Sequence, residues 1–256
     1  MRTFTPAHAR RSLLHQRRRQ PRSHELDAIP WLALLRPPSA SAPSTSCAWA
    51  MRRPGEYVCR TGRPVTYWFG VVEGLLKMSS DNAEGQTMTF TGVPPGGWFG
   101  EGTALKREAY RYNIQALRKS HVAGLHVDTF HWLLDHSIGF NRFVMNQLNE
   151  RLGQFIAARE IDRMNNPDLR VARSLAALFH PVLYPGVGEL LRITQQELAY
   201  LVGLSRQRVN VALHALQRAR LIRIEYGGLR VLDLAGPAFQ RVLMVKSAIP
   251  ASKGHC

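Results

Sequence analysis

Cysteine is scarce in this sequence, and the few cysteines that are present exclude several classes of protein. The chain of 256 residues has three cysteines, Cys47, Cys59 and Cys256. They form no Cys-x-x-Cys pair and show no spacing typical of a metal site. Their odd number argues against a disulfide framework and favours a reducing compartment, so we expect a cytoplasmic protein.

Long apolar runs and catalytic motifs are also missing. No apolar stretch reaches the roughly 18 residues that a membrane-spanning helix needs, so we expect no membrane partner. The sequence has no Gly-rich phosphate loop, no paired carboxylates and no nucleophile elbow. These absences argue against an enzyme.

Acidic residues are outnumbered by basic ones, and the excess lies at the two ends of the chain. Lys and Arg number 34 against 18 Asp and Glu, a formal charge of +16, which points to a polyanionic partner. Residues 1–24 hold seven arginines and no acid, whereas residues 165–256 hold 12 basic and five acidic groups. We expect 1–24 to be a disordered basic tail. It either contacts DNA or results from a start codon placed too early, and the sequence leaves both readings open.

The part of the chain from 25 to 128 has the pattern of an antiparallel sheet. "SHELDAIPWLALLRPP" predicts one short amphipathic helix that ends at Pro37 and Pro38. Short apolar stretches such as "VTYWFGVVEG", "QTMTFTGV" and "SHVAGLHV" then alternate with turns such as "DNAEG" and "PPGGWFGEG". Strands of this length and spacing predict a sandwich or jelly roll.

A long helix is predicted over 129–164, with a break near Gly139. Its apolar residues recur in steps of three and four, which marks one narrow face. The helix either packs on its own domain or forms the seam of a dimer, and we favour the seam. The predicted stripe consists of Phe140, Val144, Leu148, Leu152, Phe155 and Ile156, with Phe143 and Gln147 beside it.

Residues 165–235 show the element order of a winged helix: a helix, a helix–turn–helix and a hairpin across Tyr226-Gly227-Gly228. Within the helix–turn–helix "ITQQELAYLVGLSRQRVNVALHALQ", Thr194 and Glu197 form a capping box. Gly203 suits a left-handed turn, and Ser205 can cap the second helix. Residues 236–256 are read as a C-terminal tail.

The second helix of this pair has a basic, amide-bearing tip, which suits the major groove of DNA. Arginine can grip guanine, and glutamine or asparagine can grip adenine. The predicted DNA-binding residues are Thr194, Gln195, Ser205, Arg206, Gln207, Arg208, Asn210 and Val211.

These motifs together resemble the Crp/Fnr superfamily of bacterial transcription regulators over about residues 52–235. The resemblance rests on "RRPGEYVCRTGRPVTYWFGVVEGLLKM", "PPGGWFGEGTALKREAYRYNIQAL" and the helix–turn–helix. It implies an α+β protein with an N-terminal antiparallel jelly roll like a cyclic-nucleotide-binding domain, a long dimerisation helix and a C-terminal winged helix–turn–helix. It also implies a homodimer that binds a palindromic operator in double-stranded DNA, with RNA polymerase as a further partner.

The nucleotide-binding cassette departs from the family pattern. Cyclic-AMP-binding members use a Gly-Glu pair whose glutamate holds the ribose, then an Arg-Ser pair that holds the phosphate. Here Gly100, Glu101 and Arg111 match that pattern, but Tyr112 replaces the serine. The larger phenol would fill the phosphate site or turn away, which argues against cyclic AMP. A second interpretation is that Glu101 and Arg111 are an ion pair that braces the barrel.

Other cofactors of the family can be weighed against the sequence. An iron–sulfur cluster needs several cysteines near the N-terminus, and only Cys47 and Cys59 lie there, so we expect none. Haem stays open. His121, His126, His131 and His136 recur every five residues, a step that matches neither a strand nor a helix, so we expect them not to share a face.

The second helix of the helix–turn–helix also departs from the family pattern. The family commonly shows Arg-Glu at its start and a second arginine four residues after the glutamate. Here Arg206 matches, Gln207 replaces the glutamate and Val211 replaces the second arginine. We therefore expect an unusual half-site, with Arg208 and Asn210 as substitute contacts.

The leading hypothesis is a dimeric, sequence-specific transcription regulator, controlled by a small ligand or by none. Two alternatives stay open: a non-specific architectural DNA-binding protein and a cyclic-nucleotide-sensing regulatory module. The basic tail suits the architectural protein, whereas the capped helix–turn–helix argues for specific binding.

Overall fold

A computed structural model of the chain describes residues 18–19, 23–27, 29–35, 47–163 and 165–232. The chain divides into two units. The first comprises Met1–Gly153 with Pro181–Gly186, and the second comprises Gln154–His180 with Val187–Cys256. The main chain therefore passes between the two units three times.

The first unit contains two antiparallel sheets, which confirms the predicted jelly-roll class. One sheet has the order β1-β2-β9-β4-β7 and the other the order β3-β8-β5-β6. The strands are β1 Arg18–Arg19, β2 Ala48–Arg52, β3 Tyr57–Cys59, β4 Tyr67–Glu73, β5 Leu76–Asp81, β6 Thr87–Val93, β7 Trp98–Phe99, β8 Asn113–Ala116 and β9 Ser120–His126. Irregular register occurs within the β3/β8, β4/β9 and β5/β6 pairs.

The N-terminal region differs from its prediction in two ways. Arg18 and Arg19, expected in a disordered tail, form β1 and pair with Ala50 and Trp49 of β2. In place of one helix the structure has α1 at Ser23–Asp27 and a separate 3-10 turn at Leu32–Leu34. Pro30 lies between them, and a proline has no N–H to continue a helix. Residues 23–24 of the predicted tail belong to α1, whereas residues 1–17, 20–22, Pro37, Pro38 and 236–256 lie outside the described residues.

An aromatic cluster fills the core of the first unit. Trp31, which follows α1, is fully buried, and its ring centroid lies 5.9 Å from that of Trp68 and 5.2 Å from that of Trp98. Phe140 of the long helix closes the cluster at 5.4 Å from Trp31. Only glycine fits at position 70, because a Cβ there would lie 2.3 Å from the Trp98 ring. Edge-to-face packing of this kind adds to the stabilisation from apolar burial.

Three helices complete this part of the chain: α2 at Glu101–Lys106, α3 at Val127–His136 and α4 at Ile138–Asp162. The break that we predicted near Gly139 falls at Ser137, whose backbone is extended and whose hydroxyl accepts from the N–H of Phe140 at 3.2 Å. Gly139 has a different role, because a Cβ there would come within 3.2 Å of the Leu34 carbonyl oxygen. The glycine therefore allows the 3-10 turn to approach α4.

The predicted apolar stripe of α4 splits into two faces, which corrects the sequence interpretation. Phe140 and Val144 are buried in the first unit, together with Gln147 and Arg151. The opposite face is exposed and carries Ile138, Met145, Leu152 and Ile156. The stripe appeared single because both faces contribute apolar residues at steps of three and four.

The second unit has the winged-helix order that we predicted. Its helices are α5 at Pro167–Ala177, α6 at Gln195–Val202 and α7 at Arg206–Arg218. Its sheet has the order β10-β12-β11, with β10 at Leu190–Leu191, β11 at Ile222–Glu225 and β12 at Gly228–Val231. The hairpin turn uses Gly227 at φ 74°. Of the helices in the described part of the chain, none is both long enough and apolar enough to cross a membrane.

Candidate nucleic-acid interface and sensor site

Local hydrogen bonds fix both ends of the helix–turn–helix, as the sequence predicted. The Thr194 N–H donates to Glu197 Oε2 at 2.7 Å, and the Glu197 N–H donates to Thr194 Oγ1 at 3.2 Å. Gly203 ends α6 in the left-handed conformation with φ 65°. Ser205 Oγ then accepts from the Arg208 N–H at 3.2 Å and starts α7. Such caps each stabilise a helix by about 1 kcal/mol.

Helix α7 has one buried and one exposed face. Val209, Ala212, Leu213 and Leu216 are buried. Gln207, Val211, His214 and Arg218 are exposed and follow one another in steps of four, three and four. At 100° per residue this exposed stripe lies directly opposite the buried one. The unit thus presents a whole helix face to any partner.

Two of the predicted DNA contacts are engaged inside the second unit instead. The Arg208 guanidinium lies 2.7 Å from Asp168 of α5, an ion pair that lacks the alignment of a hydrogen bond. Asn210 Oδ1 accepts from Gln195 Nε2 at 2.7 Å, which ties α7 to α6. Both side chains thus already have partners within the second unit, and their contact with DNA stays a prediction. Their spacing suited DNA, but the side chains opposite them on α5 and α6 could not be read from local sequence.

Arg206 and Gln207 stand apart from this group. Both are exposed at the first turn of α7, and neither forms a hydrogen bond or ion pair with another described residue. Their side chains are long enough to reach base edges from a helix in the major groove. Among the predicted contact residues in the first turn of α7, Arg206 and Gln207 are therefore the two whose side chains are available to contact DNA.

Two ion pairs of Arg230 stabilise the wing, which is the hairpin of β11 and β12. Arg230 Nε donates to Glu225 Oε1 at 2.7 Å, and Arg230 Nη1 donates to Glu189 Oε2 at 2.9 Å. Tyr226 at the tip of the hairpin is fully exposed. These bonds thus join the two strands of the hairpin to each other and to Glu189, and Tyr226 at the turn is open to solvent.

The candidate sensor site of the first unit centres on a buried ion pair. Glu101 begins α2, and its Oε1 lies 3.5 Å from Arg151 Nε of α4. Arg151 also donates to the Tyr184 hydroxyl at 2.9 Å and to the Trp98 carbonyl at 2.8 Å. Burial alone would lower the pKa of Arg151, but its interactions with Tyr184 and Glu101 raise it above its ordinary value. The guanidinium therefore stays charged inside the protein.

Arg111 does not take part in this pair, which corrects a sequence prediction. Its side chain is 72% exposed and bonds Glu108 Oε2 at 3.0 Å. The partner of Glu101 is Arg151, which sequence reasoning missed. A signal was present, because Phe140, Val144, Gln147 and Arg151 continue one buried row at steps of four, three and four.

Tyr112 is the neighbour that distinguishes this site from the pattern expected for cyclic AMP. Its hydroxyl lies 3.4 Å from where a side chain at Gly100 would begin. Burial raises the pKa of Tyr112, the Glu101 carboxylate raises it further, and a hydrogen bond with Thr103 lowers it in part. The phenol is therefore directed into the cluster and stays protonated. The second Glu101 oxygen, Oε2, has no hydrogen-bond partner among the described residues.

The segment Pro181–Gly186 belongs to the first unit although it is flanked by the second. Leu183 and Tyr184 are buried, and the Val182 carbonyl accepts from Gln147 Nε2 at 3.0 Å. Gly96 approaches Gly186 so closely that a Cβ at position 96 would lie 2.5 Å from its backbone nitrogen. Tyr184 thus reaches Arg151 on a stretch of chain whose role the sequence did not reveal.

The four regularly spaced histidines lie in separate environments. His121 pairs with Glu73 at 3.1 Å, and His126 Nδ1 caps α3 by accepting from the Asp128 N–H. His131 contacts the Ala104 carbonyl, and His136 stacks on Trp132. Within the described ranges no group of three or more His, Cys, Asp or Glu side chains is placed to hold a metal ion.

A jelly roll, a long helix and a capped winged helix together have the architecture of a two-domain transcription regulator. Comparison with known proteins supports both parts. Residues 52–137 match the family described as cyclic nucleotide-binding domain, and residues 169–236 match the Crp-like helix-turn-helix domain.

Relatives span most of the chain. Transcriptional regulator SdrP of Thermus thermophilus is 30% identical over 172 residues, which cover 66% of this chain and 80% of that protein. The cyclic AMP receptor protein of the same species is 26% identical over 181 residues, covering 68% of this chain and 82% of that protein. The solved structure of FixK2 from Bradyrhizobium japonicum has a TM-score of 0.61 at 15% identity, covering 80% of this chain and 99% of that one.

The chain belongs to the Crp/Fnr family of transcription regulators. Its domains and relatives indicate a regulator rather than an enzyme. As a regulator of this type with a Crp-like helix–turn–helix, it binds DNA.

Proposed function

We propose that the protein regulates transcription as a homodimer that reads a palindromic operator through α7. The observation that carries this proposal is the exposed face of α7, where Arg206 and Gln207 are free of other described residues and the opposite face anchors the helix. The residues Thr194, Gln195 and Ser205 then act by positioning α6 and α7. Such a regulator works in the cytoplasm, beside its operator and RNA polymerase.

The exposed face of α4 supports the homodimer. Leu152 and Ile156 are 61% and 59% exposed, and they lie in one row with Ile138 and Met145. An apolar row of this length is stabilised by a second copy of the same helix, since a two-fold axis brings identical faces together. Two copies of α7 related by that axis would read two inverted half-sites, which is a palindrome.

The sensor cluster does not fit cyclic AMP. The phosphate needs a cation and a small hydroxyl, but Arg111 faces solvent and Tyr112 is directed towards Gly100. The remaining cation, Arg151, already bonds Tyr184, Trp98 and Glu101. Similarity to a cyclic AMP receptor protein therefore does not mean that this chain binds cyclic AMP. We propose that a different small ligand, or none, controls the protein.

Selection of binding sites from random duplexes tests the function. We expect the wild type to select one palindrome. Arg206→Ala should reduce affinity for it about ten- to a hundredfold and relax the preference at one position per half-site, because a bidentate contact to guanine is worth about 1–3 kcal/mol.

A matched control is Arg218→Ala, since Arg218 is equally exposed but lies at the far end of α7. If Arg218 contacts a phosphate, its loss would lower affinity for all sequences alike and leave base preference unchanged. If Arg206→Ala recovers the same palindrome with the same preferences, α7 is not the reader. Binding without any preferred site would favour the non-specific architectural protein instead, and no DNA binding at all would favour a nucleotide-sensing module.

A further inference from the structure

The exposed stripe of α7 has an aliphatic residue at its centre. Its members Gln207, Val211, His214 and Arg218 lie on one row, and Val211 is 52% exposed between polar neighbours. A β-branched residue lowers helix propensity because its side chain is restricted against the preceding turn. Val211 therefore contributes little to α7 itself, and its side chain is available to a partner.

Contacts within the second unit reduce the number of α7 side chains near Val211 that are available to read bases. Arg208 is held by Asp168, and Asn210 is held by Gln195. On the first two turns of the exposed face this leaves Arg206, Gln207 and Val211. Gln207 and Val211 are four residues apart, so their Cβ atoms lie about 5–6 Å from one another on the same row. Side chains so placed reach neighbouring base pairs in the groove.

The major groove offers one apolar group, the C5-methyl of thymine. An aliphatic side chain directed into the groove gains from burying that methyl, whereas it cannot satisfy the hydrogen-bonding edge of guanine or cytosine. An unpaired polar edge is costly when water is excluded. A valine on this face therefore discriminates in favour of thymine.

We propose that Val211 reads a thymine methyl in each operator half-site, next to a base pair contacted by Gln207. This inference rests on the proposed function, because it requires α7 to lie in the major groove. It assigns an apolar component to a recognition surface that otherwise consists of hydrogen-bonding groups.

The test uses the full-length protein and the operator selected by the wild type. Each thymine is replaced in turn by deoxyuridine, at symmetric positions in both half-sites, which removes only the methyl group. Affinity is measured by fluorescence anisotropy. For the wild type we expect one symmetric replacement to weaken binding about three- to fivefold per half-site, the effect of losing one buried methyl group. The same replacement should not affect Val211→Ala.

Two further variants make the test specific. His214→Ala lies on the same stripe and should keep the wild-type sensitivity to deoxyuridine. Val211→Ile retains an aliphatic side chain and should keep it too. Because Val211 is exposed, Val211→Ala is expected to fold normally, which circular dichroism and selection of a palindrome would verify.

The outcomes separate this inference from the proposed function. Insensitivity of the wild type to deoxyuridine at every position overturns the role of Val211, as does a sensitivity that Val211→Ala keeps unchanged. In both cases the protein still recognises its operator. Failure of the wild type to select any operator overturns the proposed function, and the inference with it.

Discussion

Tyr112 illustrates how one side chain alters the chemistry of a familiar fold. The sequence left two orientations open for its phenol, and the structure directs the hydroxyl towards Gly100 and Thr103. Its raised pKa keeps it neutral, so it adds no charge to the cluster of Glu101 and Arg151. This neutral phenol stands where the cyclic-AMP-binding pattern has a small serine hydroxyl.

Replacing this phenol should change the ligand preference of the site. We expect the wild type to show no binding of cyclic AMP tighter than about 1 mM in titration calorimetry. Tyr112→Ser restores the small hydroxyl, removes the phenol beside the Glu101 carboxylate, and should produce measurable binding. The matched control Tyr57→Ser removes a tyrosine whose ring contacts Arg60 elsewhere, and it should bind no better than the wild type.

Micromolar binding of cyclic AMP by the wild type would contradict this reading of Tyr112. A lack of binding by both proteins would show instead that the solvent-facing Arg111 is the missing component. In that case the double change of Tyr112 and Glu108, the present partner of Arg111, becomes the informative variant.

Single residues also show which features could be predicted from the sequence. Thr194, Gly203 and Ser205 were assigned correctly because a cap bonds to backbone three residues away or fixes its own dihedral angles. The Glu101–Arg111 ion pair was predicted wrongly because the partner of Glu101 depends on which groups fold next to it. Arg151 lies 50 residues from Glu101 along the chain, and no local pattern specifies such a pairing.

Helix α4 shows the same limit for a secondary-structure element. Its existence and length were predictable from periodicity, but the assignment of its apolar residues to one face was wrong. A helix that is covered on one side by its own domain and on the other by a partner carries two apolar rows. Sequence periodicity cannot separate them, because both rows recur with the same step.

The exposed row of α4 predicts the assembly state. The double variant Leu152→Lys with Ile156→Lys places two charges on the apolar row, where the second copy would present the same two charges. We expect it to sediment as a monomer and to lose operator affinity, since an unpaired buried charge is costly and a single half-site binds weakly.

The control for this prediction is Asn146→Lys with Ala157→Lys, which adds the same charge at exposed positions of α4 that lie off the row. It should remain a dimer. A dimer that survives the Leu152 and Ile156 changes would show that another surface joins the two copies.

The whole chain combines a strong positive charge with the proposed reading helix α7, and we expect these features to make separate contributions to DNA binding. Residues 1–17 carry four arginines. If they contact phosphates, they add affinity for any sequence and no preference among sequences. Under the proposed function the charge of the chain sets how strongly salt weakens binding, whereas α7 sets where the protein binds.

Deleting residues 1–17 should separate the two contributions. We expect affinity for operator and random duplexes to fall by the same factor, with a salt dependence shallower by about 0.9 for each lost phosphate contact. Base preferences in the selection should match those of the full chain, in contrast to Arg206→Ala. A deletion that shifts the selected sequence would show that the tail reads bases.

The insertion of Pro181–Gly186 into the first unit bears on how such a protein can evolve. One recombination event can exchange a sensor part and a DNA-binding part intact only where a single linker joins them. Here the main chain passes between the units at three places, so one crossover within α4 would separate Leu183 and Tyr184 from the residues that bury them. A functional hybrid would have to inherit the six-residue segment together with its own sensor. We therefore expect the sensor and DNA-binding parts of this chain to evolve as a pair. The winged helix is harder to exchange between proteins than its fold suggests.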